Sequence, residues 1–158
     1  MKKTNIGIAA KNRQEVAEKL SIILADEFVL YSKTLNAHWN VEGPDFHAAH
    51  IYLETLYNEQ QKIVDTVAER IRALGHYVPA QLDKYLELTH LTEKSPKKND
   101  SLTYYANLLE DHESIIKYIR ENITPIGDKL NAEGISDYIT GLMEHHEKTA
   151  WMLRSHLK

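Results

Sequence analysis

The chain has 158 residues, a length that fits one domain and can bury a substantial core without disulfide bonds or a structural metal. Hydrophobic residues make up 42% and charged residues 27%, as in an ordinary globular protein, and the absence of cysteine excludes a disulfide framework, a thiolate metal site and a cysteine nucleophile. The formal net charge of −4 argues against a basic nucleic-acid-binding protein, whereas nine histidines invite a search for metal ligands.

Sequence features that direct a protein to membranes or to export are not found. No apolar segment has the length or the flanking residues of a signal peptide or a membrane span. We therefore expect a cytoplasmic protein with no membrane partner. The whole chain, 1–158, is interpreted as one domain whose residues 1–10 form a short N-terminal arm.

The N-terminal half predicts two long helices. A first helix is expected over residues 11–40, because apolar residues recur there at spacings of three, four and seven. The segment VEGP at 41–44 ends it, and Asp45 stands at the N-cap of a second helix that runs to Leu74, where Gly75 is a natural stop.

The C-terminal half predicts two more helices after a long connection over residues 76–100. The middle of that connection, 80–88, favours a short extra helix. A third long helix is expected over residues 101–124, where Pro125 ends or kinks it, and Ser136 is expected to cap a fourth helix that reaches residue 157. Four long helices without strand-like alternation indicate an all-α four-helix bundle, and the long connection permits an up-down-down-up topology.

The second predicted helix carries two pairs of potential metal ligands. His50 and Glu54 are four residues apart, as are Asp65 and Glu69, so the members of each pair share a helix face. Glu54 and Asp65 are close to three whole turns apart, so both pairs point in nearly the same direction. The rise between these two residues is roughly 16 Å, which is too far for one ion to bind both pairs.

A two-fold axis would bring the two pairs together. The midpoint of 50 and 69 and the midpoint of 54 and 65 both fall between Glu59 and Gln60. If two copies of this helix pack antiparallel about that point, His50 and Glu54 of one chain face Asp65 and Glu69 of the other. Such a dimer would hold two equivalent sites about 22 Å apart.

The combined ligand set contains two imidazoles and three carboxylates if His38, near the end of the first helix, closes each site. Nitrogen and oxygen ligands without thiolate suit iron, manganese or zinc. The competing interpretation is a solvated helix surface on which Asp65 and Glu69 pair with Lys62 and Arg70.

Three segments resemble motifs of the Dps family, the DNA-protection-during-starvation mini-ferritins. They are HWNVEGPDFHAAH at 38–50, DTVAERIRALG at 65–75 and HEKTAWM at 146–152. The resemblance implies a ferritin-like bundle assembled from two-fold dimers into a hollow homo-dodecamer. It also implies ferroxidase sites between subunits, formed by the matching positions His38, His50, Glu54, Asp65 and Glu69.

The activity implied by the resemblance is oxidation of Fe(II), two ions to each site, with hydrogen peroxide preferred over oxygen. Ferric mineral would be stored in the cavity, and the cell and its DNA would be protected from oxidative damage. Glu54 departs from the usual aspartate, and its extra methylene is large on the scale of metal–ligand tolerances. His47 also departs, and we interpret it as a partly exposed residue at the helix start, with an extra ligand or a group beside the ligands as the alternative.

Other residues receive weaker interpretations. In the resembled family, acidic residues at the places of Asp128, Glu133 and Asp137 line the pores that admit iron, whereas the alternative is a solvated turn. Trp39 and Trp151 are interpreted as packing at helix contacts, with the quenching of a stray radical as the alternative. His145 and His146 are interpreted as structural or surface residues without an evident partner.

Direct DNA binding has little support in the sequence, since the basic N-terminal arm offers only Lys2, Lys3, Lys11 and Arg13. Two other classes of protein remain as alternatives. One is a nucleoid-associated or structural shell protein with a degenerate metal site. The other is a catalytic di-metal bundle, which typically carries Glu-x-x-His pairs on its core helices. The four long predicted helices contain no such pair.

Overall fold

A computed structural model describes residues 4–94 and 96–158. Within them the chain is all-helical, apart from an isolated β-type bridge between Glu42 and Asp100. No helix of this described part is long and apolar enough to span a bilayer. The elements are α1 Ala10–Asn40, α2 Phe46–Ala73, α3 Leu82–Leu88, α4 Ser101–Thr124, a π-helical turn Pro125–Lys129 and α5 Glu133–His156. The predicted all-α class, with a short helix in the long connection, is confirmed.

Helices α1 and α2 form an antiparallel hairpin. The rings of His38 and His50 meet near its closed end, and the rings of Tyr31 and Tyr57 meet two turns further down. Residues later in α2 thus contact residues earlier in α1, as in an antiparallel pair. The hairpin turn contains Gly43 at φ +127°, a conformation that favours glycine.

Helix α4 also runs antiparallel to α1. Lys33 of α1 bonds to Asp111 of α4, and Lys19, nearer the start of α1, bonds to Asn122, nearer the end of α4. Since α2 and α4 therefore run in the same direction, the connection between them crosses the length of the bundle. These three directions agree with the expected up-down-down-up topology.

The core lies between the four long helices. Helix α1 contributes the largest share, because both its centre and its flanks are covered by neighbouring helices. Burying a leucine or isoleucine side chain stabilises the fold by about 1.5–3 kcal/mol. The largest fully buried side chains are Leu20, Ile23, Leu24, Leu30, Leu53, Ile71, Leu108, Ile115, Ile119, Ile126, Ile139 and Leu153.

The starts of α2 and α4 meet at one end of the bundle. Asp100 caps α4 by accepting the backbone N–H of Thr103 at 2.9 Å, and this bond lowers the pKa of Asp100. Asp45 precedes α2 as predicted, but its carboxylate does not cap that helix. It accepts the hydroxyl of Ser101 at 2.6 Å and so links the two helix starts.

The predicted start of the last helix was wrong. Helix α5 begins at Glu133, and Ser136 lies inside its first turn. The Ser136 hydroxyl donates to the carbonyl of Ile123 at 2.9 Å. A Cβ on Gly127 would lie 3.1 Å from that hydroxyl, so glycine allows the π-helical turn to pack closely against α5.

Candidate metal centre

His38 and His50 lie side by side at the closed end of the α1–α2 hairpin. His38 is in the last turn of α1 and His50 is in the second turn of α2. Their rings are stacked, with centroids 3.8 Å apart and an angle of 21° between the ring planes. His38 is 7% exposed and His50 is partly buried, so a ligand bound there would be shielded from much of the solvent.

The two histidines hold each other in place through reciprocal hydrogen bonds. His38 Nδ1 lies 3.0 Å from the carbonyl oxygen of His50, and His50 Nδ1 lies 2.9 Å from the carbonyl oxygen of His38. A carbonyl can only accept, so each Nδ1 must carry the proton. In the neutral ring, each Nε2 then keeps the lone pair that a metal ion needs.

Glu54 lies one turn beyond His50 on α2 and is partly buried. The hydroxyl of Tyr57 is 3.5 Å from Glu54 Oε1, and the Tyr57 ring contacts the His38 ring edge-on with centroids 5.1 Å apart. Partial desolvation, and then the Glu54 carboxylate, raise the pKa of Tyr57. Tyr57 was not identified from the sequence, because its place between two proposed ligands depends on the hairpin register.

Asp65 and Glu69 are exposed and lie further along α2. By helical rise Asp65 is roughly 16 Å from Glu54, so neither residue can join His38 and His50 within one chain. Across residues 4–94 and 96–158, no three His, Asp, Glu or Cys side chains are grouped so that they could hold a metal ion. Within the described residues, one chain therefore brings His38 and His50 together with Glu54 one turn away, but it does not bring Asp65 or Glu69 to them.

Apolar side chains surround this end of the hairpin at the surface. Trp39 is 69% exposed, and Phe46 and Ile51 are also exposed. Trp151 is 62% exposed, so neither tryptophan is packed at a helix contact among the described residues, and that prediction was wrong for the single chain. His47 is exposed in the first turn of α2, as expected.

A second group of ionisable residues lies in the centre of the bundle. Glu27 Oε1 is 2.6 Å from His146 Nε2, and His146 Nδ1 is 2.8 Å from His112 Nδ1. All three residues are at most 1% exposed. The expectation that His146 has no partner was therefore wrong. In the sequence, only the high number of histidines hinted at these hydrogen bonds, because the three residues lie on three different helices.

Some polar atoms of these buried residues lack a hydrogen-bond partner. Glu27 Oε2 and His112 Nε2 have no hydrogen-bond partner within the described residues, nor do the two polar atoms of Gln60. Burial first, and then the neighbouring His146 and His145, lower the pKa of His112 well below its ordinary value. His112 is therefore neutral in the folded protein. The three residues are arranged in a line and do not converge on one point.

His145 lies on a different side of α5 from His146 and is only partly buried. It lines a groove of about 600 Å³ between α2 and α5, and its Nε2 lies 3.8 Å from the Glu59 carboxylate. Arg70 crosses the same groove and stacks on the ring of Tyr138, 3.8 Å from its centroid. Since Arg70 is engaged there, the alternative in which it neutralises the neighbouring Glu69 has no support.

The three acidic residues of the proposed pore lie near the turn between α4 and α5. Asp128 is in the π-helical turn, while Glu133 and Asp137 are in the first two turns of α5. All three are exposed and none takes part in an ion pair within the described residues. Their charges are therefore available to attract cations.

The four basic residues near the N-terminus differ in their surroundings, and Lys11 is exposed in the first turn of α1. Lys2 and Lys3 lie outside the described residues. Arg13 donates to the carbonyl oxygens of Ile8, at 2.6 Å, and of Leu74, at 3.1 Å, so it fastens the arm to the end of α2.

Comparison with known proteins identifies the family to which the fold belongs. The family model for the ferritin-like domain matches residues 17–158. A low-temperature-induced protein of Nostoc sp. is 38% identical over 158 residues, which cover 100% of this chain and 88% of the relative. The DNA protection during starvation protein 2 of Bacillus anthracis is 33% identical over 144 residues, which cover 91% of this chain and 97% of the relative.

A solved structure gives the same result for the fold. The Dps protein of Vibrio cholerae O1, described as a member of a broad superfamily of ferritin-like diiron-carboxylate proteins, superposes with a TM-score of 0.91. Its sequence is 27% identical, and the match covers 98% of this chain and 97% of that one. This chain therefore belongs to the ferritin-like domain family and, within it, to the Dps proteins.

Proposed function

We propose that this protein is a ferroxidase that oxidises Fe(II) with hydrogen peroxide, or with oxygen, at a centre shared between two subunits. The reciprocal bonding of His38 and His50 is the observation that carries the proposal. It fixes both rings and leaves both Nε2 atoms as ligands. Histidines that bind metals in proteins usually have their second nitrogen held by such a bond.

The ligand chemistry supports iron as the substrate. Imidazole and carboxylate ligands without thiolate suit Fe(II), and an aggregate of carboxylates favours a bound cation over an empty site. Two Fe(II) ions, one hydrogen peroxide and two protons give two Fe(III) ions and two water molecules. Delivering both electrons together avoids the one-electron cleavage that releases hydroxyl radical.

The site requires a second subunit in this proposal. His38, His50 and Glu54 of one chain would face Asp65 and Glu69 of the partner subunit across a two-fold axis near Glu59 and Gln60. The exposure of Asp65 and Glu69 supports this arrangement, because both are free to meet another chain.

In this proposal, iron storage depends on the assembly of subunits into a shell. The likeness to Dps proteins supports a homo-dodecameric shell in which two iron ions bind at each shared site and ferric mineral fills the cavity. Removal of free iron and peroxide would protect the cell and its DNA. Direct DNA contact is not part of the proposal, since Arg13 is engaged by the fold itself.

Replacing both His38 and His50 by alanine tests the site. We expect peroxide-driven iron oxidation to slow by roughly tenfold or more, because both nitrogen ligands are lost. The assembled, metal-free protein is loaded with Fe(II) without oxygen, hydrogen peroxide is added, and the absorbance of the ferric product is followed. The mass of the assembly is measured in parallel.

The matched control replaces His47 by alanine. His47 lies on the same helix, three residues before His50, but its side chain is exposed. This variant should oxidise iron at the wild-type rate. Unchanged oxidation kinetics in the His38 and His50 double variant would refute the site, and assembly without any iron oxidation in the wild type would favour a structural shell protein.

A further inference from the structure

A cleft of about 650 Å³ lies between the end of the long connection and helix α4. Four lysines line it, together with hydroxyl and amide side chains of α4. A cleft of this volume lies within the range of small-molecule sites in proteins. The four lysines are Lys33, Lys94, Lys97 and Lys98.

The segment that enters the cleft is fastened to two helices. Lys33 Nζ donates to the carbonyl oxygen of Thr92 and to Asp111 Oδ1 of α4, each at 2.8 Å. Asp26 of α1, which is 1% exposed, accepts the backbone N–H of His90 at 2.7 Å. These bonds hold one side of the cleft in place against α1 and α4.

The cleft is positively charged, although the chain as a whole has a net charge of −4. The ammonium group of Lys33 is neutralised by Asp111 at 2.6 Å. The other three lysines of the cleft are exposed and form no ion pair within the described residues. Glu110 is the other acidic residue of the lining. Three lysines against one carboxylate leave two positive charges, with His90 neutral.

Uncharged donors lie on the side of the cleft that α4 forms. Asn107 and Ser114 line it there, and both are partly buried. An ammonium group attracts phosphate as a point charge, whereas amide and hydroxyl groups donate to phosphate oxygens in a fixed direction. The cleft therefore combines charge with directional donors, which is the chemistry that recognises a phosphate group.

We propose that this cleft binds a small molecule that carries consecutive phosphate groups, such as a nucleoside diphosphate or inorganic pyrophosphate. The excess of two positive charges suits an anion with several negative charges close together. Leu91 and Pro96 in the lining offer apolar area to the remainder of a nucleotide. None of the lining residues is a proposed iron ligand, so the inference does not depend on the ferroxidase function.

A nucleic-acid backbone offers phosphates as well, but it fits the cleft less well. Its phosphates are spaced along a line, whereas these lysines border one cavity. The net charge of −4 also repels a long polyanion that would lie across the remaining surface. A compact phosphorylated molecule meets only the charge of the cleft itself.

The test measures the binding of pyrophosphate to the assembled, metal-free protein by isothermal titration calorimetry at low salt. We expect saturable binding of one molecule for each chain, and the affinity should fall as salt is added. ADP is titrated in parallel. Tighter binding of ADP than of pyrophosphate would identify a nucleotide as the source of the phosphates, and weaker binding would identify inorganic pyrophosphate.

Two variants separate the charge of the cleft from its directional donors. Replacing Lys94, Lys97 and Lys98 together by glutamine should weaken pyrophosphate binding by roughly tenfold or more, because the excess charge is lost. Asn107→Ala removes an uncharged donor and leaves the net charge unchanged. It should weaken binding by roughly threefold, as expected for one hydrogen bond.

The matched control changes the net charge equally outside the cleft. Lys11, Lys62 and Lys148 are exposed lysines of α1, α2 and α5, and each is replaced by glutamine. This protein should bind pyrophosphate with the wild-type affinity. The mass of every assembly is measured to confirm that each variant folds and assembles.

Four results would overturn the proposal. They are the absence of saturable pyrophosphate binding by the wild type, an equal loss of affinity in the control protein, wild-type affinity in Asn107→Ala, and binding of duplex DNA without binding of pyrophosphate or ADP. The second result would assign the attraction to overall charge, the third to an open basic surface, and the fourth to a nucleic-acid surface.

Discussion

At the scale of single residues, hydrogen bonding orients the two histidines that we propose as iron ligands. The sequence predicted His38, His50 and Glu54 as ligands from their types and spacing. The reciprocal bonds between the histidines could not be predicted, because each acceptor is the backbone of the other residue and depends on the hairpin turn. Tyr57 was missed for the same reason, since its neighbours lie on two helices.

The buried His112 should make the protein sensitive to acid. Its pKa is held well below the ordinary value by burial, so the folded protein keeps it neutral, whereas the unfolded chain binds a proton near pH 6.5. Its contribution to stability is therefore complete above that pH and is lost as the pH falls below it, by about 1.4 kcal/mol for each pH unit. Urea unfolding at a fixed protein concentration, from neutral to acidic pH, measures the loss.

Replacing His112 by asparagine removes the titrating group but keeps a nitrogen donor near the place of Nδ1. This variant should lose less stability on acidification than the wild type. The same replacement at the exposed His47 is the control, and it should leave the pH dependence unchanged. Equal pH dependence in wild type and His112→Asn would show that other groups cause the acid sensitivity.

At the scale of helices, the sequence predicted most of the elements and missed one boundary. Periodicity and the glycine and proline breaks placed α1, α2, α3 and α4 within about two residues, which is the usual disagreement at helix ends. The start of α5 was placed too late because serine is a common N-cap. Ser136 instead bonds to Ile123 of the preceding helix, a long-range contact that local preferences do not encode.

The acidic turn between α4 and α5 should set the rate at which iron reaches the centre. Neutralising the exposed residues Asp128, Glu133 and Asp137, by asparagine or glutamine, removes a cluster that would concentrate cations. We expect the initial rate of iron oxidation at low iron concentration and low salt to fall by roughly tenfold. The difference from wild type should shrink as salt is added.

The control for this cluster changes the net charge equally at other exposed places. Glu15, Glu93 and Glu121 are exposed carboxylates on α1, the long connection and α4, and each can be replaced by glutamine. If these replacements slow iron oxidation as much as those in the acidic turn, overall charge and not a pore controls the delivery of iron.

At the scale of the whole molecule, two chains have to complement each other if the centre is shared. The common midpoint of the two ligand pairs on α2 predicted this from spacing alone, and within the described residues one chain groups no metal site by itself. The assembly could not be read from spacing, because the surfaces that hold a shell together are set by tertiary structure.

Mixing two inactive variants tests the shared centre. One variant carries His38→Ala and His50→Ala, and the other carries Asp65→Asn and Glu69→Gln. Each should be inactive alone, but a mixed dimer contains one site with all its ligands. Random pairing on co-expression should restore about a quarter of the wild-type sites.

The rate of iron oxidation by hydrogen peroxide is measured for each variant alone and for the co-expressed protein. No recovery of activity in the co-expressed protein, with both chains present in one assembly, would contradict a centre built by two subunits. Assemblies that contain only one of the two variants give the baseline rate of iron oxidation.

The bond from Asp45 to Ser101 has a consequence for how the chain folds. The α1–α2 and α4–α5 hairpins each close a short loop, whereas docking one onto the other closes the long connection between α2 and α4. Loop-closure entropy rises slowly, by about 0.6 kcal/mol for each doubling of length, so the long crossover adds little thermodynamic cost. It does delay contacts that are distant in sequence. The hairpin that bears His38 and His50 thus assembles from neighbouring residues, but its turn is fastened only when the second half of the chain arrives.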